Sequence, residues 1–93
     1  MKNFDWDGEK NAKLKLKRGV GFEDVVKAFH EGKVLDDVKH PNPDRYPNQR
    51  VMIINISDYA YLVPYVEDED KVFLKTIIPN RKATKKYLRK EAK

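Results

Sequence analysis

Apolar and polar positions change period several times along this chain, and each change predicts an element. Phe4 and Trp6 alternate with Asp5 and Asp7, the two-residue period of a short strand with one apolar face. Asp7 then suits the N-cap of a helix over Gly8 to Lys17, with Glu9 well placed near its positive end. Ala12 and Leu16 are expected on the inner face of that helix with Leu14 to the side, and Gly19 after Lys17-Arg18 predicts its stop. Phe22, Val25, Val26 and Phe29 recur at i, i+3, i+4 and i+7, the core-facing stripe of a second helix from Phe22 to His30 that Gly32 ends. Val34-Leu35 predicts a short strand running into Asp36-Asp37. A long polar loop with three prolines between positions 41 and 47 follows, in which His40, Arg45 and Tyr46 could reach a ligand.

The second half reads as strands. Arg50 to Ile56 is apolar on both faces and therefore expected at the centre of a sheet. Ser57-Asp58 turns the chain, and Tyr59 to Val66 returns with Tyr61, Val63 and Tyr65 on one face. Pro64 lacks a ladder donor and argues for an edge or a bulge there. Glu67 to Asp70 reads as an acidic hairpin tip, and Val72 to Ile78 as a last strand, so residues 50 to 78 predict an antiparallel meander. Pro79-Asn80 breaks it, and a helix is expected from about Ala83, with Ala83, Tyr87 and Leu88 inward. The sum is one α+β domain over residues 1–93, a small antiparallel sheet with two N-terminal helices and a basic C-terminal helix, the helices covering one face. Which face stays open is undecided, because the central strand is apolar on both.

Composition narrows the class. Of the 93 residues, 40% are hydrophobic and 38% charged, which suits a packed domain with a charged surface. With no cysteine, disulfides and thiolate metal sites are excluded. The acidic opening MKNFDWDGEK does not read as a signal peptide, and no apolar run has the length of a membrane span, so a cytoplasmic setting without membrane contact is expected. Charge changes the picture more. Residues 81 to 93 hold seven Lys or Arg against one Glu, +6, while the whole chain is +5, so the first 80 residues sum to −1. The basic character is thus expected to be local to the tail, a footprint for a polyanion.

The chemistry-bearing inventory is Arg, Lys, Tyr and scattered acids. There is no phosphate-cradling glycine loop, no HExxH, no GxSxG, and no recognisable ligand spacing around His30 and His40, so neither a metal nor a cofactor is expected. Cleavage of RNA without metal matches that inventory. The 2′-hydroxyl supplies the nucleophile, and the protein orients the backbone, stabilises phosphorane charge and moves protons. Arginine suits the charge role because it stays protonated and grips phosphate oxygens in pairs. A non-catalytic RNA- or DNA-binding module, or an interaction protein whose basic helix docks an acidic partner, would show the same composition.

The run FDWDGEKNAKLKLKRGVGFEDV resembles the opening of the BrnT family of type II toxins, with its F-x-W-D, K-x-x-x-N and K-H-G-V-S-F-E-E-A pattern. IIPNRKATKK is similar to that family's I-I-S-A-R-x-A-T, and LVPYVEDEDKVFLKTII to its V-V-Y-T-E-R-G before a strand. The resemblance covers nearly the whole chain in order. It implies a RelE-like ribonuclease that inhibits translation on free or ribosome-associated RNA. It also implies a BrnA-like ribbon-helix-helix antitoxin through which alone the complex would meet operator DNA. By resemblance Arg50 and Arg81 contact phosphate and transition state, and Tyr65 and Glu67 orient substrate or move protons. Lys75, Lys82, Lys85, Lys86 and Arg89 are expected to steer the RNA backbone. The chain departs from the family at Arg18 (usually His), Gly21 (Ser), Asp68 (a basic residue) and Thr76 (Arg). Lys75, next to Thr76, would point to the opposite face if both lay in a strand.

Overall fold

The computed structural model of the chain describes residues 3–89. After the strand β1, Asn3–Asp5, Asp7 caps α1, Gly8–Arg18, by accepting the Glu9 and Lys10 N–H groups at 2.9 and 3.3 Å. Gly19 stops α1 at φ 72°, a left-handed conformation that glycine adopts without a Cβ clash. The inner face of α1 differs from the expected one: Asn11 and Leu14 are buried, Ala12 is exposed and Leu16 is 90% exposed. Positions 11 and 14 are helical neighbours, but one of them is polar, so a search for apolar pairs passes over the true face.

Asn11 is buried because it begins α2, Phe22–His30. Its Oδ1 accepts the Phe22 N–H at 2.8 Å, and the Asp24 carboxylate accepts the Gly21 N–H at 2.9 Å. The cap that a serine at position 21 would supply therefore comes from the neighbouring helix. A Cβ at Gly21 would stand 2.5 Å from Lys15 Cε, 2.7 Å from Glu23 Oε1 and 2.9 Å from Asn11 Oδ1, so glycine leaves room for that arrangement. Phe22 and Val25 are fully buried as the stripe predicts, whereas Phe29 stays 39% exposed with its ring edge-on to Phe4 at 5.0 Å.

The remaining strands are β2 Val34–Lys39, β3 Arg50–Ile56, β4 Tyr59–Glu67, β5 Lys71–Leu74 and β6 Ile78–Pro79. They form one sheet in the order β1-β5-β4-β3-β2, with β6 also against β4. The β3–β4–β5 meander is present, turning at Ser57-Asp58 with φ of 54° and 65°. The sheet as a whole is mixed rather than antiparallel, because β1 lies parallel to β5. β2 runs four residues past Leu35 and pairs antiparallel with β3.

Pro64 sits in an interior strand, not at an edge. Its carbonyl accepts the Lys75 N–H at 2.8 Å, so its donorless side faces β5 and β6. There the final strand is interrupted: residues 75–77 pair with nothing as strand, and the chain resumes as β6 opposite Tyr61 and Leu62. The interruption falls where Pro64 has no N–H to give. It also means that Lys75 and Thr76 do not alternate as neighbouring strand residues.

Helices cover both faces of the sheet instead of one. On the first face Met52, Ile54, Val63, Tyr65 and Leu74 pack with Leu14, Phe22 and Val25 of the N-terminal helices. On the second, Ile53, Ala60 and Leu62 pack against α3, Arg81–Leu88, through Ala83, Tyr87 and Leu88. α3 begins two residues before Ala83 because Asn80 caps it, its Oδ1 accepting the Ala83 N–H at 2.7 Å. Thr84 locks the helix to the sheet by accepting the Ala60 N–H at 3.0 Å. No helix among the described residues is long and apolar enough to cross a membrane.

Candidate functional site

Register brings Arg50, Tyr65, Lys39 and Asp37 to one end of the first face. Arg50 of β3 lies directly opposite Tyr65 of β4, and Lys39 of β2 directly opposite Arg50. Asp37, two residues back along β2, reaches Arg50 diagonally on the same face. Arg50 donates from Nε to Asp37 Oδ1 at 2.8 Å and from Nη2 to the Asp37 carbonyl at 3.0 Å. Tyr65 donates its hydroxyl proton to Asp37 Oδ2 at 2.5 Å. Glu67 follows two residues on, opposite Val72, and so faces the same side.

The electrostatics follow from these contacts. Burial first, and then the Asp37 carboxylate, push the Tyr65 phenol far above its ordinary range, so it remains a neutral donor at physiological pH. Asp37 likewise pushes the Arg50 guanidinium above its usual value. Two guanidinium N–H groups of Arg50 serve Asp37, and the guanidinium also lies against the Tyr65 oxygen. The Arg50–Asp37 pair is half exposed, so it orients the two groups more than it stabilises the fold.

Beside this cluster lies a cavity of about 280 Å³. Its apolar wall is Phe4, Phe29, Met52 and Val72, and its polar rim is Asp37, Tyr65 and Glu67.

Of the residues singled out from sequence, Arg50, Tyr65 and Glu67 therefore come together, and Arg81 does not join them. The Asn80 N–H bonds to the Ala60 carbonyl at 3.1 Å, which ties the start of α3 to the far end of β4. Five strand residues separate Ala60 from Tyr65, about 17 Å, and α3 packs on the opposite face. Nor is the Arg81 side chain held at a hinge. It is exposed in the first turn of α3, with no hydrogen-bond or ion-pair partner among the described residues, while Ala83 and Thr84 take the inward positions.

The expected steering cations lie on the second face and its margin. Lys82 and Lys85 are exposed, and Lys86 lies over the Tyr87 ring with its Nζ 5.2 Å from the centroid. Arg89 reaches Asp58 at 3.8 Å, and Lys75 covers the Phe73 ring at 5.5 Å. Lys90 and Lys93 of the basic tail lie outside the described residues. Positive charge is not confined to that tail. α1 carries Lys10, Lys13, Lys15, Lys17 and Arg18 against Glu9 alone. Four of these cations border a groove of about 760 Å³ that Thr76 closes on its other side. The local neutrality of the first 80 residues is an average over a basic α1 and acidic turns.

In the loop before β3, the His40 and Tyr46 rings lie 4.4 Å apart, tilted by 38°, and Arg45 lies 5.5 Å from the Tyr46 ring centre, so Tyr46 joins the other two. Sequence reasoning misses Asp37 and Lys39, because it ends β2 at Leu35. The signal is Val38, which continues the strand beyond the two aspartates.

No protein-family model, curated protein or solved structure matches the chain.

Proposed function

We propose that this chain is an RNA-cleaving toxin domain of the RelE-like kind, acting in the cytoplasm on free or ribosome-bound RNA. A ribbon-helix-helix antitoxin neutralises it, and the pair meets operator DNA through that antitoxin. The observation that supports this reading is the convergence of Arg50, Tyr65 and Glu67 with Asp37 on one end of one sheet face. The motif resemblance supplies the toxin context.

The cluster suits in-line attack by a ribose 2′-oxygen on the adjacent phosphorus. The 2′-hydroxyl gives its proton to the Tyr65 oxygen as Tyr65 passes its own to Asp37, along the hydrogen bond already present. A tyrosine whose pKa is raised does not ionise in this relay, because it gains one proton as it loses another. The remaining N–H groups of Arg50 meet the charge that grows on the phosphoryl oxygens. The P–O5′ bond breaks, water protonates the departing oxygen, and a 2′,3′-cyclic phosphate remains. Lys39 beside Arg50, and α3 at longer range, raise the local concentration of polyanion.

A non-catalytic RNA-binding module is the second reading. It is favoured by the separation of Arg81 and α3 from the cluster. Purified protein incubated in EDTA with free and ribosome-bound RNA decides between them. Cyclic-phosphate ends that Tyr65→Phe and Arg50→Ala each suppress are expected, the latter by about 10²- to 10³-fold. Binding without cleavage of either RNA refutes the ribonuclease.

A further inference from the structure

Independently of RNA cleavage, we propose that the groove along α1 is a docking site for an acidic amphipathic segment of a protein partner, with Leu16 as its apolar anchor and Lys10, Lys13, Lys17 and Arg18 as its charge contacts. Lys10, Lys13 and Lys17 recur at i, i+3 and i+7, so they form one stripe along the helix. Arg18 extends the charge at its C-terminal end. All four border the groove, and none has an ion-pair partner among the described residues. Lys15, off that stripe, is answered by Glu23 at 3.1 Å. The fold thus neutralises one flank of α1 and leaves the other unmatched.

Leu16 stands beside that stripe at 90% exposure, more than twice that of the next large apolar residue left in solvent, Ile78 at 40%. Leu14, which is buried, lines the same groove. The groove holds about 760 Å³, and α1 rises about 12 Å from Lys10 to Arg18, so it takes a segment of several residues and not a single anion. Three features favour a polypeptide over RNA. No aromatic ring lines the groove, so unstacked bases find no platform there. Asp7 and Glu9 border its N-terminal end and repel a phosphate chain charged at every step, whereas a peptide can set its carboxylates opposite the lysines alone. A sugar-phosphate backbone would leave Leu16 in water, whereas an apolar side chain of a peptide covers it. The lysines then steer the acidic segment in, and the leucine slows its departure.

The test uses the full chain and fluorescein-labelled dodecapeptides of Glu and Leu, one with its leucines at helical spacing and one with them alternating. A Glu–Ser peptide of equal charge and a uridine dodecanucleotide are the comparison probes. In fluorescence anisotropy at low salt, a Glu–Leu peptide is expected to bind about ten-fold more tightly than the Glu–Ser peptide. Leu16→Ser should weaken it about ten-fold. Lys13→Gln combined with Lys17→Gln should weaken it as much and flatten its salt dependence. Lys27→Gln, a charge removed from α2, should change it less than about two-fold. Backbone amide shifts should centre on residues 10–18. The substituted side chains are exposed, and melting temperatures confirm folding. Failure of both Glu–Leu peptides to bind overturns the docking site, as does binding that is indifferent to Leu16→Ser or to the loss of the leucines. Oligouridine that shifts α1 where the peptides do not makes the groove an RNA track and overturns it as well.

Discussion

Replacing Asn11 by Ala removes one amide from α1, and the damage should appear at the start of α2. In the native fold Asn11 is 6% exposed and Phe22 fully buried, and the 2.8 Å bond between Asn11 Oδ1 and the Phe22 N–H is sealed from water. Alanine leaves that N–H without an acceptor. A buried donor stripped of its partner costs about 1–3 kcal/mol, which includes what removal of a helix cap normally costs. The two bonds from Asn11 Nδ2 to Glu23, both 3.0 Å, add little, because the Glu23 side chain is 54% exposed and rehydrates. A loss of about 2 kcal/mol corresponds to a fall of roughly 8–16 °C in melting temperature for a domain of this size.

The pH dependence provides a second readout. The Asn11 amide, ahead of all other contacts, holds the Glu23 carboxyl below its usual range. A folded pKa below the unfolded one stabilises the protein above about pH 4.5, and the contribution is lost as pH falls through the folded value. The gap between wild type and Asn11→Ala should therefore narrow only slightly from pH 7 to pH 3 in thermal melts or urea titrations, because Glu23 is exposed and most of the loss comes from the uncharged Phe22 N–H. Gly21→Ala should resemble it, since the new methyl group would press on the same Asn11 oxygen. A melting temperature within about 2 °C of wild type would refute this account of the cap.

The other predictions concern charge and titration. Tyr65→Phe should remove one late step from the ultraviolet titration of the five tyrosines. Because the folded pKa of Tyr65 lies above the unfolded one, its contribution to stability is complete below pH ~10 and lost above, so the variant should show a flatter alkaline decline than wild type. Arg50→Ala should lower RNA cleavage far more than Arg81→Ala; equal losses would return Arg81 to the reacting phosphate. Replacing Lys82, Lys85, Lys86 and Arg89 by Gln should flatten the salt dependence of RNA affinity by about 0.7 in log–log slope for each phosphate that the variant no longer neutralises, and an unchanged slope would move binding to the basic face of α1.

Local patterns carry much of this fold. The i, i+3, i+4 stripe of α2, the Asp7 cap, the Gly19 stop and the alternation in β4 are decided by neighbours in sequence, and each is present. What is not legible depends on distant partners. Nothing near Phe4 announces that β1 will lie parallel to β5, because the pairing joins Asn3 to Lys71. Pro64 reads as an edge or bulge residue until the interruption at 75–77 is known. Asn11 is polar and so gives no apolar signal, yet it faces inward because α2 needs a cap that Gly21 cannot provide. The candidate site divides the same way: Arg50 opens a strand that its apolar run announces and Tyr65 lies on one whose alternation is clear, whereas Glu67 reads as part of the hairpin tip although it ends β4, and Asp37 belongs to a strand whose polar run hides it.

That polar run explains how the two faces are tied together. β2 is an edge strand, and an edge of unpaired backbone groups invites pairing with another chain. Asp36, Asp37 and Lys39 make this edge charged, which opposes such pairing. Being adjacent, Asp36 and Asp37 project to opposite faces. Asp37 takes the Tyr65 hydroxyl on the first face, and Asp36 takes the Tyr87 hydroxyl of α3 on the second, each at 2.5 Å. Asp36 is held below the usual carboxylate range by that tyrosine first, and Tyr87 is pushed up in turn. One pair of consecutive carboxylates thus anchors the basic helix from below and orients the Arg50–Tyr65 cluster from above. A displacement of β2 would loosen both at once, so the anchoring of α3 and the orientation of Tyr65 depend on the same two residues although they occupy opposite sides of the sheet.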